Sequence, residues 1–115
     1  MSYLELHKAR LNSVKTRMDL LDFPDLVRQL RESLGFSRTF LARDCAMDWQ
    51  RIYVIEMGNF SIPLKPFIVH TLAYYFDIDK KFFIKKMNDF LTEKKYQKSV
   101  DKFANVYPKR KKKKR

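Results

Sequence analysis

Ser37-Arg-Thr-Phe-Leu-Ala-Arg-Asp-Cys-Ala-Met-Asp-Trp-Gln-Arg-Ile-Tyr-Val-Ile-Glu-Met-Gly58 is the stretch on which the fold turns. Ser37 is a strong helix N-cap, and Leu41-Ala42 supply the apolar face of the short helix behind it. Cys45-Ala46-Met47 makes a tight turn. Asp48 caps a second helix whose Ile52 and Ile55 face inward, and Gly58 ends it. Two short helices joined so closely usually present the second to a nucleic-acid groove.

The flanking segments also read as helices. Upstream, a helix opens near Pro24, which suits a first helical turn, and carries Leu26, Val27, Leu30 and Leu34 as far as Gly35. Before it, residues 3 to 21 place Leu4, His7, Leu11, Val14, Met18 and Leu21 at alternating spacings of three and four. That heptad-like stripe on one helix either pairs two copies or covers the protein's own core, with His7 a tolerated seam residue. Downstream, 59 to 63 form a loop, and a helix spans about 64 to 76 with Pro66 in its first turn. Phe67, Ile68, Leu72 and Tyr75 or Phe76 give its buried face, and His70 reads as half-buried packing. Asp79 caps a further helix with Phe83, Met87, Phe90 and Leu91 on one side. Its other side carries Lys80, Lys81, Lys85, Lys86, Lys94 and Lys95. Past Tyr96 the pattern weakens, although Val100, Phe103 and Val106 extend it toward Tyr107-Pro108.

The expected class is all-α. The expected units are an N-terminal amphipathic helix (1–22), a compact helical domain (23–92), a basic helical extension (93–107) and a disordered poly-basic tail (108–115). A chain of 115 residues with two Gly and four Pro suits one ordered, helical core. The N-terminus alternates charged and apolar residues, without the apolar core of a secretory signal, and no apolar run is long enough to span a membrane. The single Cys45 forms no internal disulfide and reads as a small core residue. The expected compartment is the reducing cytoplasm, at the nucleoid in a bacterium.

Charge is unevenly distributed. Residues 1 to 79 hold ten basic and ten acidic side chains, whereas residues 80 to 115 hold fifteen basic and three acidic. The whole net charge of +12 therefore lies in the last third of the chain. Lys109, Arg110, Lys111, Lys112, Lys113, Lys114 and Arg115 are an uninterrupted block that stays solvated until a polyanion neutralises it. With about five phosphate contacts, affinity would change roughly thirtyfold or more between 50 and 200 mM salt. The blander roles of such a block are solubility and nuclear localisation.

Arg31 through Ile78 resembles the lambda-repressor-like helix-turn-helix domains of the Cro and XRE type. Leu34-Gly35-Phe36-Ser37 is similar to the entry into that family's second helix, and Leu41-Ala42 to the paired positions where its two helices approach. Ile52, Ile55-Glu56 and Gly58 resemble the closing pattern, and Pro63 with Leu72-Ala73 the fourth helix. The resemblance implies a five-helix domain, here with an extra N-terminal helix, from a bacterial or phage regulator of transcription. It implies that Arg31 and Glu56 pair, and that Arg38, Trp49, Gln50, Tyr53, Val54 and Met57 face double-stranded DNA, with Arg51 and Arg43 at the edges. Gln50 suits bidentate recognition of adenine, Val54 a thymine methyl, and Arg38 a phosphate. Ala46 stands where the turn often has Gly, at a cost of about 1 kcal/mol if left-handed.

The same face also reads as a protein-binding patch, because Trp49, Tyr53, Val54 and Met57 are apolar and bordered by Asp44 and Asp48. Alternatively, Trp49 folds back into the core. Two classes follow: a sequence-specific DNA-binding regulator, acting as a homodimer, or an adaptor that grips a protein partner and tethers it to DNA or RNA through its basic tail. Catalysis has little support, and no cofactor, metal or small-molecule site is expected. His7, His70 and Cys45 have no metal-ligand spacing, and Ser37 and Ser61 lack a neighbouring base.

Overall fold

The computed structural model describes residues 2–106, and the side chains among them except at 3, 4, 99 and 101–106. The described residues form six α-helices and no strand: α1 (Tyr3–Lys15), α2 (Phe23–Ser33), α3 (Arg38–Asp44), α4 (Trp49–Glu56), α5 (Pro66–Tyr75) and α6 (Lys80–Val106). A single 3-10 turn, Met18–Leu20, lies between α1 and α2.

Each helix starts where the side chains dictate. Ser2, Asp22, Ser37 and Asp48 accept the backbone N–H of Glu5, Asp25, Phe40 and Gln50, and Asp79 accepts that of Lys81. α5 has no side-chain cap and begins instead with Pro66, whose missing N–H needs none. Four helices end alike. After α2, α3, α4 and α5 the chain turns left-handed at Gly35, Ala46, Gly58 and Asp77. In each case the next residue's N–H returns five positions: Phe36 to Arg31, Met47 to Ala42, Asn59 to Val54 and Ile78 to Ala73. These are Schellman ends, which satisfy otherwise orphaned carbonyls. The chain's two glycines take two of the four left-handed positions. A side chain at Gly58 would also collide with Phe90, its Cβ falling 3.0 Å from the Phe90 ring.

Phe23 lies at the centre of the core, edge-on to Phe83 at 4.9 Å and to Phe60 at 6.2 Å. Leu26, Val27, Leu30, Leu41, Ile52, Ile55, Ile68, Leu72 and Phe76 surround it and are fully buried or nearly so. Cys45 is buried beside them as a free thiol. Burial and then the neighbouring Asp44 carboxylate push that thiol from its ordinary 9 up to about 11.

The structure departs from the sequence reading at three places. The helix expected over residues 3 to 21 stops at Lys15, where the Thr16 hydroxyl donates to the Ser13 carbonyl at 2.8 Å and competes with the helical ladder. The 3-10 turn then reverses the chain into α2, yet Leu11, Val14, Met18 and Leu21 all pack on the core. On α5, Phe67 and His70 are exposed rather than buried, because Ile68, Val69, Leu72, Ala73 and Phe76 face the core. α6 runs unbroken from residue 80 to 106. Past Leu91 it has left the core, with Tyr96 and Val100 exposed. Finally, Lys86 and Lys94 are half-buried and bonded to carbonyls, not part of a solvated face. The tail expected over 108–115 lies outside the described residues.

Two outcomes follow. Replacing Ala46 with glycine removes the steric cost of the left-handed turn and should stabilise the fold by about 1 kcal/mol in urea unfolding; a loss of stability would contradict this. The native Cys45 thiol should react with a disulfide reagent at pH 8 about a hundredfold more slowly than in the unfolded chain. Because the folded thiol holds its proton more tightly, its contribution to stability is complete below the ordinary thiol range and is lost as pH rises through about 11. Equal reactivity in both states would show Cys45 to be accessible.

Candidate nucleic-acid interface

A buried carboxylate sets the position of α4. The Glu56 side chain is 0% exposed and lies in the last turn of α4. Arg31 of α2 holds it in two-pronged fashion, Nε donating to Oε2 at 2.6 Å and Nη2 to Oε1 at 2.9 Å. Its remaining Nη1 donates to the Phe36 carbonyl at 2.7 Å, securing the turn between α2 and α3. Arg38, at the start of α3, gives its Nε to Glu56 Oε1 at 2.9 Å. One carboxylate therefore joins three helices, and Glu32, 3.8 Å from Arg31, is a second carboxylate beside the two guanidinium groups.

Arg38 is thus partly committed. Its guanidinium carbon also lies 5.1 Å from the centre of the Tyr53 ring, a cation–π contact that orients this exposed tyrosine. Tyr53 in turn meets Trp49 edge-on at 6.2 Å. Trp49 is 48% exposed, so it does not fold back into the core.

With Ile52, Ile55 and Glu56 buried, the outward residues of α4 form two rows. Trp49, Tyr53 and Met57 follow one another at spacings of four and form an apolar row, whereas Phe40 of α3, also exposed, stacks on Phe36 at 4.5 Å. Gln50, Arg51 and Val54 form a mixed row that, with Asp48 and Leu64, lines a shallow groove of about 270 Å³. Gln50 and Arg51 are exposed and Val54 is half-buried. Arg43 is exposed on α3. The acidic border is engaged: Asp44 accepts the Tyr75 hydroxyl at 2.7 Å, and Asp48 caps α4. Burial and that bond to Asp44 both raise the Tyr75 hydroxyl above its ordinary range, keeping it a donor.

Sequence reading missed the role of three lysines. Lys94 of α6 donates to the Gly58 and Phe60 carbonyls at 2.8 and 2.7 Å, clasping the exit of α4. Lys15 donates to the Asp77 carbonyl at 3.1 Å and Lys86 to that of Asp19 at 3.4 Å. Lysine near a helix C-terminus is a recognisable signal only when sequence places it there; here Lys94 arrives from 36 residues away. Lys80, Lys81 and Lys95 stay exposed, and Lys85 pairs with Asp89 at 2.8 Å. Lys109 to Arg115 lie outside the described residues.

Among the described residues, no group of three or more His, Cys, Asp or Glu is placed to hold a metal, and no helix is long and apolar enough to cross a membrane. The Glu56 cluster carries a direct expectation. Glu56→Gln should destabilise the protein by about 3 kcal/mol, because the buried Arg31 guanidinium loses its buried counter-charge and the partly exposed Arg38 loses its partner. A loss below about 1 kcal/mol would mean that the arginines simply turn to solvent. No protein-family model, no curated protein and no solved structure matches this chain.

Proposed function

We propose that the protein is a sequence-specific DNA-binding regulator of the lambda-repressor-like type, with α4 lying in the major groove. The observation that carries this reading is the two-row outer face of α4, a short helix held by Glu56 at one end and a four-residue turn at the other. Gln50 offers an amide to an adenine edge and Val54 a methyl contact to thymine. Arg43 on α3 and Arg51 on α4 are exposed and suit phosphate contacts, and Arg38, a third exposed, stands beside them at the start of α3. The cations of residues 109 to 115 add affinity that does not depend on sequence.

A second reading has its own support. The exposed apolar row Trp49, Tyr53 and Met57 is the kind of patch that binds protein. In that adaptor the basic tail tethers the complex to DNA or RNA.

One pair of variants separates the readings. In selection from a random duplex library, the regulator enriches a motif, and Gln50→Ala weakens preference at one base pair by about 1–3 kcal/mol. Removing residues 108 to 115 should weaken all sequences alike and flatten the salt dependence. An adaptor gives no enriched motif, and Trp49→Ala abolishes capture of its partner instead.

A further inference from the structure

From Lys86 onward α6 sorts charge between its two flanks. On one flank a groove of about 500 Å³ lies between the helix and the 3-10 turn, and its charged lining is Asp19, Asp22, Asp89 and Glu93 with Lys86 and Lys94. On the other flank a groove of about 410 Å³ lies between the helix and the loop after α4. That groove is lined by Ser61, Leu91, Lys94, Lys95, Gln97 and Lys98, and so holds three cations and no acid. Lys94 spends its hydrogen bonds on the Gly58 and Phe60 carbonyls, which are neutral and leave its charge unanswered. Lys85, earlier on the helix, is paired with Asp89, but Lys95 and Lys98 are exposed and meet no carboxylate among the described residues. By helical spacing Lys102 continues their row, and residues 94 to 106 hold four lysines against the single acid Asp101.

We propose that this groove is a phosphate-binding site, in which Lys94, Lys95 and Lys98 hold the backbone of the duplex whose base edges face α4. That one duplex occupies both places rests on the reading of α4 given above. The loop over residues 59 to 65 borders both grooves: Ser61 lines this one, and Leu64 lines the one along α4 with Gln50, Arg51 and Val54. Lys94 ties α6 to the exit of α4 across the same loop. The chemistry favours phosphate over an acidic protein segment. Ammonium groups are point charges that suit phosphate oxygens from several directions, whereas carboxylates are matched best by the planar fork of arginine, which the groove lacks. A row of cations along a helix, with the block at 109 to 115 further along the chain, also matches a linear polyanion better than a compact acidic patch. Phosphate contacts set register and orientation. Because Lys95 and Lys98 stand on a helix tied to α4, they set the angle at which the duplex meets α4 as well as adding charge.

The test is binding of the full chain to a fluorescently labelled, mixed-sequence duplex of about 24 base pairs, followed by anisotropy across a salt series. Lys95→Gln with Lys98→Gln is compared with Lys80→Gln with Lys81→Gln, which removes the same charge from exposed positions at the start of α6. All four side chains are exposed, so helical circular dichroism should not change. The first pair should lower affinity at least about tenfold at about 0.1 M salt, and flatten the slope of log affinity against log salt by about 1.8, the share of two phosphates. The second pair should change affinity less than about threefold, with its slope kept. A slope unchanged by the first pair, or an equal loss in both pairs, would overturn the proposal, and the first of these results would leave the groove to an acidic protein segment. Arg51→Gln separates this site from the reading of α4. If it leaves the slope unchanged while the Lys95 and Lys98 pair flattens it, the phosphate site stands and the placement of α4 in the major groove falls. If only Arg51→Gln flattens the slope, α4 keeps its role and the site on α6 falls.

Discussion

Glu56 is the constraint on which the rest depends. A carboxylate with no exposure to water cannot remain ionised unless its charge is answered within reach, and both Arg31 and Arg38 answer it. Placing those two groups fixes α2, α3 and α4 with respect to one another. Hydrophobic contacts alone would tolerate small slides between such short helices, since apolar burial has no direction. A two-pronged guanidinium does not. The outer face of α4 therefore inherits its orientation from a buried ion cluster. Tyr53 is coupled to the same cluster through Arg38, so the exposed aromatic row is linked to the most buried charge in the protein.

The helices themselves would not persist alone. α3 has seven residues and α4 eight, well below the length at which isolated helices hold in water. Their ends are managed accordingly. An Asp or Ser closes the start of each, and the same left-handed turn closes the finish of four helices. Where glycine is absent the chain accepts strain at Ala46, or uses Asp77, whose short polar side chain suits a left-handed conformation. Beyond the caps, contacts from distant elements complete the tally, with Lys94 and Lys15 satisfying carbonyls at the ends of α4 and α5.

Much of this was legible in the residues, and the reasons are local. Caps such as Ser37, Asp48 and Asp79 act within three residues, so their effect can be read from spacing. The tight turn at Cys45-Ala46-Met47 was legible for the same reason, whereas its left-handed residue entered only as a condition raised by the resemblance. The Arg31–Glu56 pair came from resemblance, since nothing in the spacing of residues 25 apart announces a bond. The third partner, Arg38, was read as a free cation because its capture depends on how α3 packs. Phe67 and His70 were misassigned because α5 is apolar all round, and periodicity cannot choose an inner face when both faces look alike. The end of α1 was missed because no proline or glycine marks it, only a threonine whose hydroxyl turns onto the Ser13 carbonyl.

The grip of Lys94 on the exit of α4 makes α6 more than a closing element. A helix of 27 residues is about 40 Å long and resists bending over that distance. Lys94 stands 12 residues, or about 18 Å, short of its end at Val106. Beyond Lys94 the helix continues past the core residues, with Tyr96 and Val100 exposed. A displacement of this portion would be felt at the exit of α4 through the two hydrogen bonds to Gly58 and Phe60. The C-terminal portion is thereby geared mechanically to the helix that carries Trp49 and Gln50.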